Sequence, residues 1–388
     1  MKSIKRAIVC VFAILFILGV TTPLIYAQSQ SEPILIQSDT DISTFGFDGK
    51  GTITEPWIIE SKVISANGGS YCIRISNTKS HIVIRNCEFD GIEMPTSEIS
   101  SAVYLDNVEN VTVENNKFND IRGIGIYLNT SKNVKLIENT LGDSYFGIES
   151  RKCNNIHIES NVMNGCIIGI SLWRVNGIIY KNILNNCSNG LGIAFSNNVD
   201  INDNRIIFSS GTGMGLNNCG QLTITNNSYE NCSTGLSLNP SCNNIVVFNN
   251  EFINNKLGVA NSIDTNNNTF YQNNFIDNNI QAFDQGNNIW YNTSLKSGNY
   301  WNDHVGTSAY PIPGGSNVDR YPSAEPFPIY SEESPDNWAF TRTNIIVAVA
   351  IFVIALSVFY IGRKIRKKNA QMHDSDRNAT TEEEPHDN

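Results

Sequence analysis

Arg74, Tyr104, Tyr127 and Glu149 are separated by 30, 23 and 22 residues, and Ser76, Asp106, Asn129 and Arg151 follow each of them by two. If these intervals are successive turns of one repeating unit, the residues form two adjacent outward columns. The first runs Arg74, Tyr104, Tyr127, Glu149, Ser171, Ala194, Gly215, Ser237 and Ala260; the second runs Ser76, Asp106, Asn129, Arg151, Trp173, Ser196, Asn217 and Asn239. Large aromatic and charged members occupy only the first five turns. Aromatic faces pack on sugar rings, while carboxylates and guanidinium groups take hydroxyls. The chemistry this strip offers is glycan recognition, with Arg74, Tyr104, Asp106, Tyr127, Glu149, Arg151 and Trp173 as the binding residues. The competing reading is an ordinary decorated β-surface whose aromatics pack under a loop such as residues 91–100.

Catalysis is a separate question. Glycosidases need two carboxylates flanking the scissile bond. Asp106 and Glu149 would lie two turns apart and two residues along, roughly 10 to 12 Å between backbones. No residue is assigned a catalytic role, and the alternative to a binder is a surface polysaccharide lyase, hydrolase or epimerase. A purely structural role is the third option.

The element that must position these columns is legible in the repeat itself. A pattern of apolar-x-apolar-x-x-Asn-x-apolar returns with its Asn at 116, 139, 161, 182, 204, 227, 250 and 273. Glycine followed by an apolar residue returns at 125, 147, 169, 192, 213, 235 and 258. Both markers share a period in the low twenties, and the segments between them are too short for helices and rich in Ile and Val. That combination predicts a solenoid of β-strands. Five and three residues before the Asn stand pairs such as Val111 and Val113, or Ile245 and Val247; two after it stands Phe118, Leu141, Met163, Leu184, Ile206, Tyr229, Phe252 or Phe275. Period-two alternation turns these into inward faces stacked coil on coil. The Asn column is architectural: its amides hydrogen-bond along the axis, and Asn tolerates the left-handed backbone of sharp corners. The expected fold is all-β, a parallel β-helix of about ten coils and roughly 45 to 50 Å at one strand spacing per coil. In the first turns Cys72 and Ala102 take the glycine position and Cys87 the Asn position.

The ends of the chain differ in character. Lys2, Lys5 and Arg6 precede an apolar run ending near Ala27, which reads as a signal peptide over 1–27. The apolar span 345–362 is followed at once by Arg363, Lys364, Arg366, Lys367 and Lys368, which reads as one transmembrane helix over 344–362 with a cytoplasmic tail over 363–388. Between them come an N-terminal cap over 33–66, the repeats over 67–296, a C-terminal cap over 297–322 and a Pro-rich acidic stalk over 323–343. The expected localisation is the cell membrane, single-pass, with the N-terminal domain outside. A formal charge of −10 with only 16% charged residues leaves no basic surface to track phosphates, so nucleic acid is not an expected partner. The expected partner is an extracellular glycan or cell-envelope polymer.

With the caps FDGKGTITEPWIIE (47–60) and GNYWNDH (298–304) and YPIPGGSNVDRYP (310–322), the repeats resemble the NosD-like (periplasmic copper-binding) right-handed parallel β-helix family, particularly archaeal surface members. The resemblance spans about 33–322. It implies the fold; the fold class itself hosts lyases, polygalacturonases, epimerases and non-catalytic surface proteins. The copper association does not carry over residue by residue, because the exported part has only His81, His157 and His304 and no Met or Cys/His cluster at ligand spacing. No cofactor or metal is expected. Eight cysteines fall in the exported part, and neighbouring pairs such as Cys166 with Cys187, or Cys219 with Cys242, come within reach of a disulfide; buried free thiols are the favoured reading.

Overall fold

The computed structural model describes residues 31–93 and 99–329. The predicted leader, the membrane span at 345–362, the tail and most of the stalk lie outside these residues. Among the described residues no helix is long and apolar enough to cross a membrane.

Among the described residues three parallel sheets of eleven strands each form the solenoid, with a small antiparallel pair, Tyr310–Pro311 and Val318–Asp319, near its C-terminal end. Each coil contributes one strand to each sheet, and each strand pairs with the strand one coil before and one coil after it. Sheet one carries Tyr71–Thr78, Ser101–Val108, Ile124–Asn129, Phe146–Arg151, Ile168–Trp173 and Asn189–Ala194 in its first half. Sheet two contains strands such as Val111–Glu114 and Val199–Asn202, and sheet three strands such as Glu251–Ile253 and Asn274–Ile276. This is the all-β parallel solenoid of about ten coils that the period predicts. The stretch 33–66 supplies the first strand of each sheet: Ile34–Ile36, Trp57–Glu60 and Val63–Ser65. A single helical turn, Asp39–Ile42, capped by the Ser38 side chain, places Ile42 wholly inside the core.

The core is a set of columns. In sheet three Leu141, Met163, Leu184, Ile206, Tyr229, Phe252, Phe275 and Trp301 register one above another. Its aromatic end stacks face to face, with ring centroids 5.0 Å apart for Tyr229 and Phe252, 4.9 Å for Phe252 and Phe275, and 4.2 Å for Phe275 and Trp301. Along the sheet-one bend the coils approach so closely that a Cβ on Gly147 would lie 2.6 Å from the carbonyl oxygen of Gly169, a gap that a real side chain cannot occupy. Glycine is therefore required there. The same register corrects one position of the glycine marker: Gly190, not Gly192, stands over Gly169, because Asn189 pairs with Ile168 and Leu191 with Ile170. The outward columns accordingly pass through Gly192 and Ala194, in place of Ala194 and Ser196.

Asparagine serves two separate purposes. The repeating Asn column is an inward ladder, in which each Nδ2 donates to the Oδ1 of the next coil's Asn at 2.9 to 3.0 Å from Asn116 through Asn273 to Asn299. These ladder residues do not adopt the left-handed backbone. The residue before each one does: Asn115, Glu138, Ser160, Lys181, Asp203, Asn226, Asn249 and Gln272 all have φ of 54° or 55°. In the Asn-Asn pairs the first residue makes the corner and the second makes the ladder. Of 34 left-handed non-glycine residues among those described, 17 are Asn, the residue that adopts this conformation at least cost.

Phe208 departs from that pattern, with φ 55° and 56% of its surface exposed in a corner column otherwise occupied by residues such as Asp143, Asn186, Asn231 and Asn254. Phe208→Asn removes the strain and little burial, and should stabilise the fold by about 1 kcal/mol in urea denaturation. An unchanged or lower midpoint would show that the Phe208 ring has packing worth more than the strain.

Candidate functional site

Sheet one brings the sequence-predicted residues together on one face. Arg74, Tyr104, Tyr127, Glu149 and Ser171 pair in register on successive strands, and Ser76, Asp106, Asn129, Arg151 and Trp173 pair beside them. Their neighbours in sequence, Ile73, Val103, Ile126, Ile148 and Ile170, are fully buried, so alternation turns the site residues outward.

Contacts between coils then organise the strip. The Arg74 guanidinium lies 4.5 Å from the Tyr104 ring centre, Tyr104 and Tyr127 sit 5.1 Å apart, and the Arg151 guanidinium lies 5.9 Å from Tyr127. Arg151 donates through Nε and Nη2 to Glu149 Oε1 at 2.8 and 2.5 Å. Asn129 Nδ2 donates to Asp106 Oδ1 at 2.8 Å. Two residues that the columns place on the open face are covered: Tyr127 is 3% and Glu149 4% exposed. Tyr127 has the Tyr104 ring on one side and Arg151 on the other, and Glu149 is held beneath Arg151, so neither offers a free surface. Burial pushes the Tyr127 phenol up to about 12 and raises that of Tyr104 as well. Both tyrosines therefore act as protonated donors near neutral pH, not as bases.

The two carboxylates do not meet. Asp106 and Glu149 belong to strands two coils apart, and each is engaged by a different partner, Asn129 and Arg151. Both charges are tied within the strip and face different partners.

Trp173 sits in a second cluster that column arithmetic does not reach. The Arg174 guanidinium lies 4.3 Å from its ring centre, Lys152 Nζ 5.9 Å, and the Phe195 ring meets it edge-on at 6.0 Å. Lys152, Arg174 and Phe195 stand immediately after the sheet-one strands, at the bend. A sequence signal for them does exist: the position following the second column reads Asn77, Asn107, Thr130, Lys152, Arg174, Phe195, Asn218, and asparagine gives way just beside the aromatic strip.

On sheet two, His157 Nε2 lies 2.7 Å from Glu159 Oε2. Among the described residues no three His, Cys, Asp or Glu side chains come together in a way that could hold a metal ion. All eight described cysteines are buried and unbridged, and burial pushes the Cys72 thiol up to about 12.

The family described as periplasmic copper-binding protein (NosD) matches residues 122–306, and the right-handed β-helix region matches 25–174. The two matches together with the parallel solenoid support a NosD-like β-helix protein. Among solved structures, two mutants of the periplasmic alginate epimerase AlgG resemble this NosD-like chain. One has a TM-score of 0.51 at 16% identity, covering 67% of this chain and 66% of that one; the other has 0.50 at 16%, covering 66% and 64%. The NosD-like chain thus spans 64% of the length of the latter. A tailspike of an E. coli bacteriophage in complex with a pentasaccharide has a TM-score of 0.43 at 12% identity, covering 69% and 63%. At these identities the likeness is one of fold. No curated protein matches the NosD-like chain.

Proposed function

We propose that this protein is an exported, membrane-anchored β-helix that binds a carbohydrate or cell-envelope polymer on the sheet-one face without turning it over. The observation that carries the reading is the strip itself: Arg74, Tyr104, Arg151 and Trp173 share one outward face within five consecutive strands. Aromatic edges and fixed guanidinium groups together suit the apolar faces and hydroxyls of a sugar. The alginate epimerase whose fold this chain shares acts on a polysaccharide, which agrees with a saccharide partner. Export rests on the pattern over 1–27, and anchoring on the apolar span at 344–362 with its basic stop. Copper forms no part of this reading, because the described His, Cys, Asp and Glu side chains do not converge on a site for it.

The separate engagement of Asp106 and Glu149 favours binding over hydrolysis, since an acid/base pair must face one bond. The test is retention of the full chain on a panel of immobilised polysaccharides, with product analysis alongside. Retention without new reducing ends or unsaturated products is expected, and Tyr104→Ala combined with Trp173→Ala should abolish it while leaving the melting transition in place. Turnover of any polysaccharide would replace the binder with an enzyme. Unchanged retention in the double variant would remove the strip from the explanation.

A further inference from the structure

The corner beside Trp173 is built at a cost that its neighbours avoid. Asn77, Asn107 and Asn218 turn the same corner at φ 54°, 52° and 51°, and Lys152, Arg174 and Phe195 do so at 54°, 53° and 54°. Long and aromatic side chains take this backbone at greater cost than Asn, as Glu138, Lys181 and Gln272 also do elsewhere; what sets this corner apart is what its side chains touch. Lys152 and Arg174 both lean on the Trp173 ring, and Phe195 meets its edge with 48% of its own surface open.

Their charge is also uncommitted. Among the described residues Arg85, Arg122, Arg151 and Arg205 are ion-paired with glutamates; Lys152 and Arg174, like Arg74 and Arg320, take part in no described ion pair, and they are the two that lie on one ring. Two cations a coil apart, free of carboxylates, bracket an indole on a chain of formal charge −10. A local positive spot of this kind, held on one aromatic ring, is a place where an incoming anion would find two donors.

We infer that the Lys152–Trp173–Arg174–Phe195 corner selects an anionic saccharide, with a carboxylate or sulfate group of the sugar seated between Lys152 and Arg174 and the ring against Trp173 and Phe195. This rests on the reading that the sheet-one face binds saccharide and narrows it to charged polymers. The roles divide simply: the two cations carry selectivity for the acid group, and the aromatics carry affinity for the sugar ring.

The substitution that tests it is already used by this fold at the same corner. Lys152→Asn with Arg174→Asn restores the residue found at 77, 107 and 218, relieves the strain, and should raise the melting temperature. Calorimetric titration of the full chain would use a uronate oligosaccharide, a sulfated oligosaccharide, a neutral glucan oligosaccharide of matched length and inorganic polyphosphate. The expected result is that one acidic sugar binds about tenfold or more tighter than the neutral one, with an advantage that shrinks as salt rises and falls about tenfold in the double variant. Which of the two binds tells carboxylate from sulfate. Equal binding of neutral and acidic sugars overturns this inference and leaves saccharide binding intact. Polyphosphate binding as tightly as the acidic sugar, or a double variant that binds as the native chain does, overturns it too. Failure of every sugar removes the saccharide reading itself.

Discussion

Asp319→Ala should release the C-terminal end of the solenoid while the middle coils stay folded. The Asp319 carboxylate is fully buried. Its Oδ2 accepts from the Asn299 backbone N–H at 2.7 Å, from Asn299 Nδ2 at 3.3 Å and from Trp301 Nε1 at 3.0 Å, and its Oδ1 accepts from the Tyr321 N–H at 3.0 Å. Asn299 is the last amide of the ladder, so the whole row of donating amides ends on this one acceptor. Alanine strands several buried donors, each worth about 1 to 3 kcal/mol when unmade, and opens a cavity beside Trp301. A cost of about 4 kcal/mol or more is expected, concentrated in the last coil. Hydrogen exchange resolved by segment, with Trp290 and Trp301 emission as a second probe, would show it; uniform loss of protection along the chain would refute a local role.

The same residue has a pH signature. Burial holds the Asp319 carboxyl above the ordinary carboxylate range, and the bonds from Asn299, Trp301 and Tyr321 only partly offset it. An acid whose folded value is raised binds protons more readily folded than unfolded, so its contribution is fullest below the unfolded value near 3.8 and is lost as pH climbs through the raised folded value. The C-terminal coil of the native chain should therefore gain protection on mild acidification across that window. Asp319→Ala should not show that gain.

Asn204→Leu should cost about as much at the centre of the rod. Asn204 Oδ1 accepts from the Asn182 backbone and side-chain amides at 3.0 and 2.9 Å, and its Nδ2 donates to Ile179 O, Asn202 O and Asn227 Oδ1 at 2.9, 3.0 and 3.0 Å. Leucine is close in size, so packing is nearly conserved and the loss is one of hydrogen bonding. It leaves buried groups on both neighbouring coils without partners, at about 3 to 6 kcal/mol in total. Equilibrium denaturation should show a lowered midpoint or an added intermediate as the two halves uncouple. A change under about 1 kcal/mol would show the ladder to be decoration on a core held by its apolar columns.

Much of this fold was readable because one spacing governs it. A coil that must return to the same bend every 21 to 23 residues leaves its period in every column, so Val111, Phe118 and Asn116 could be placed by counting. Counting failed where two residues could satisfy it. The run Asn189-Gly-Leu-Gly offers Gly190 and Gly192, and only the backbone pairing of Asn189 with Ile168 decides between them. Burial of Tyr127 and Glu149 was hidden for another reason, since it comes from neighbours on other coils leaning over them. The acceptors at the ladder ends were hidden as well. Asp319 lies in non-periodic cap sequence, and Asp284, although on a repeat strand, takes its bonds from Asn288, Trp290 and Asn317, whose offsets the period does not set.

Each ladder amide donates toward the C-terminus and accepts from the side before it, so every coil presents the same two faces to its neighbours. A coil can then be inserted or removed as a unit, because the joint left behind is one the structure already contains. The distance between the strip at Trp173 and the end cap at Asp319 is in this sense an integer, counted in steps of roughly 4.8 Å. Duplicating one coil of 21 to 23 residues would lengthen the rod by one such step while reusing the ladder joint. The caps and the strip would be untouched by the change; only the number of graduations between them would differ.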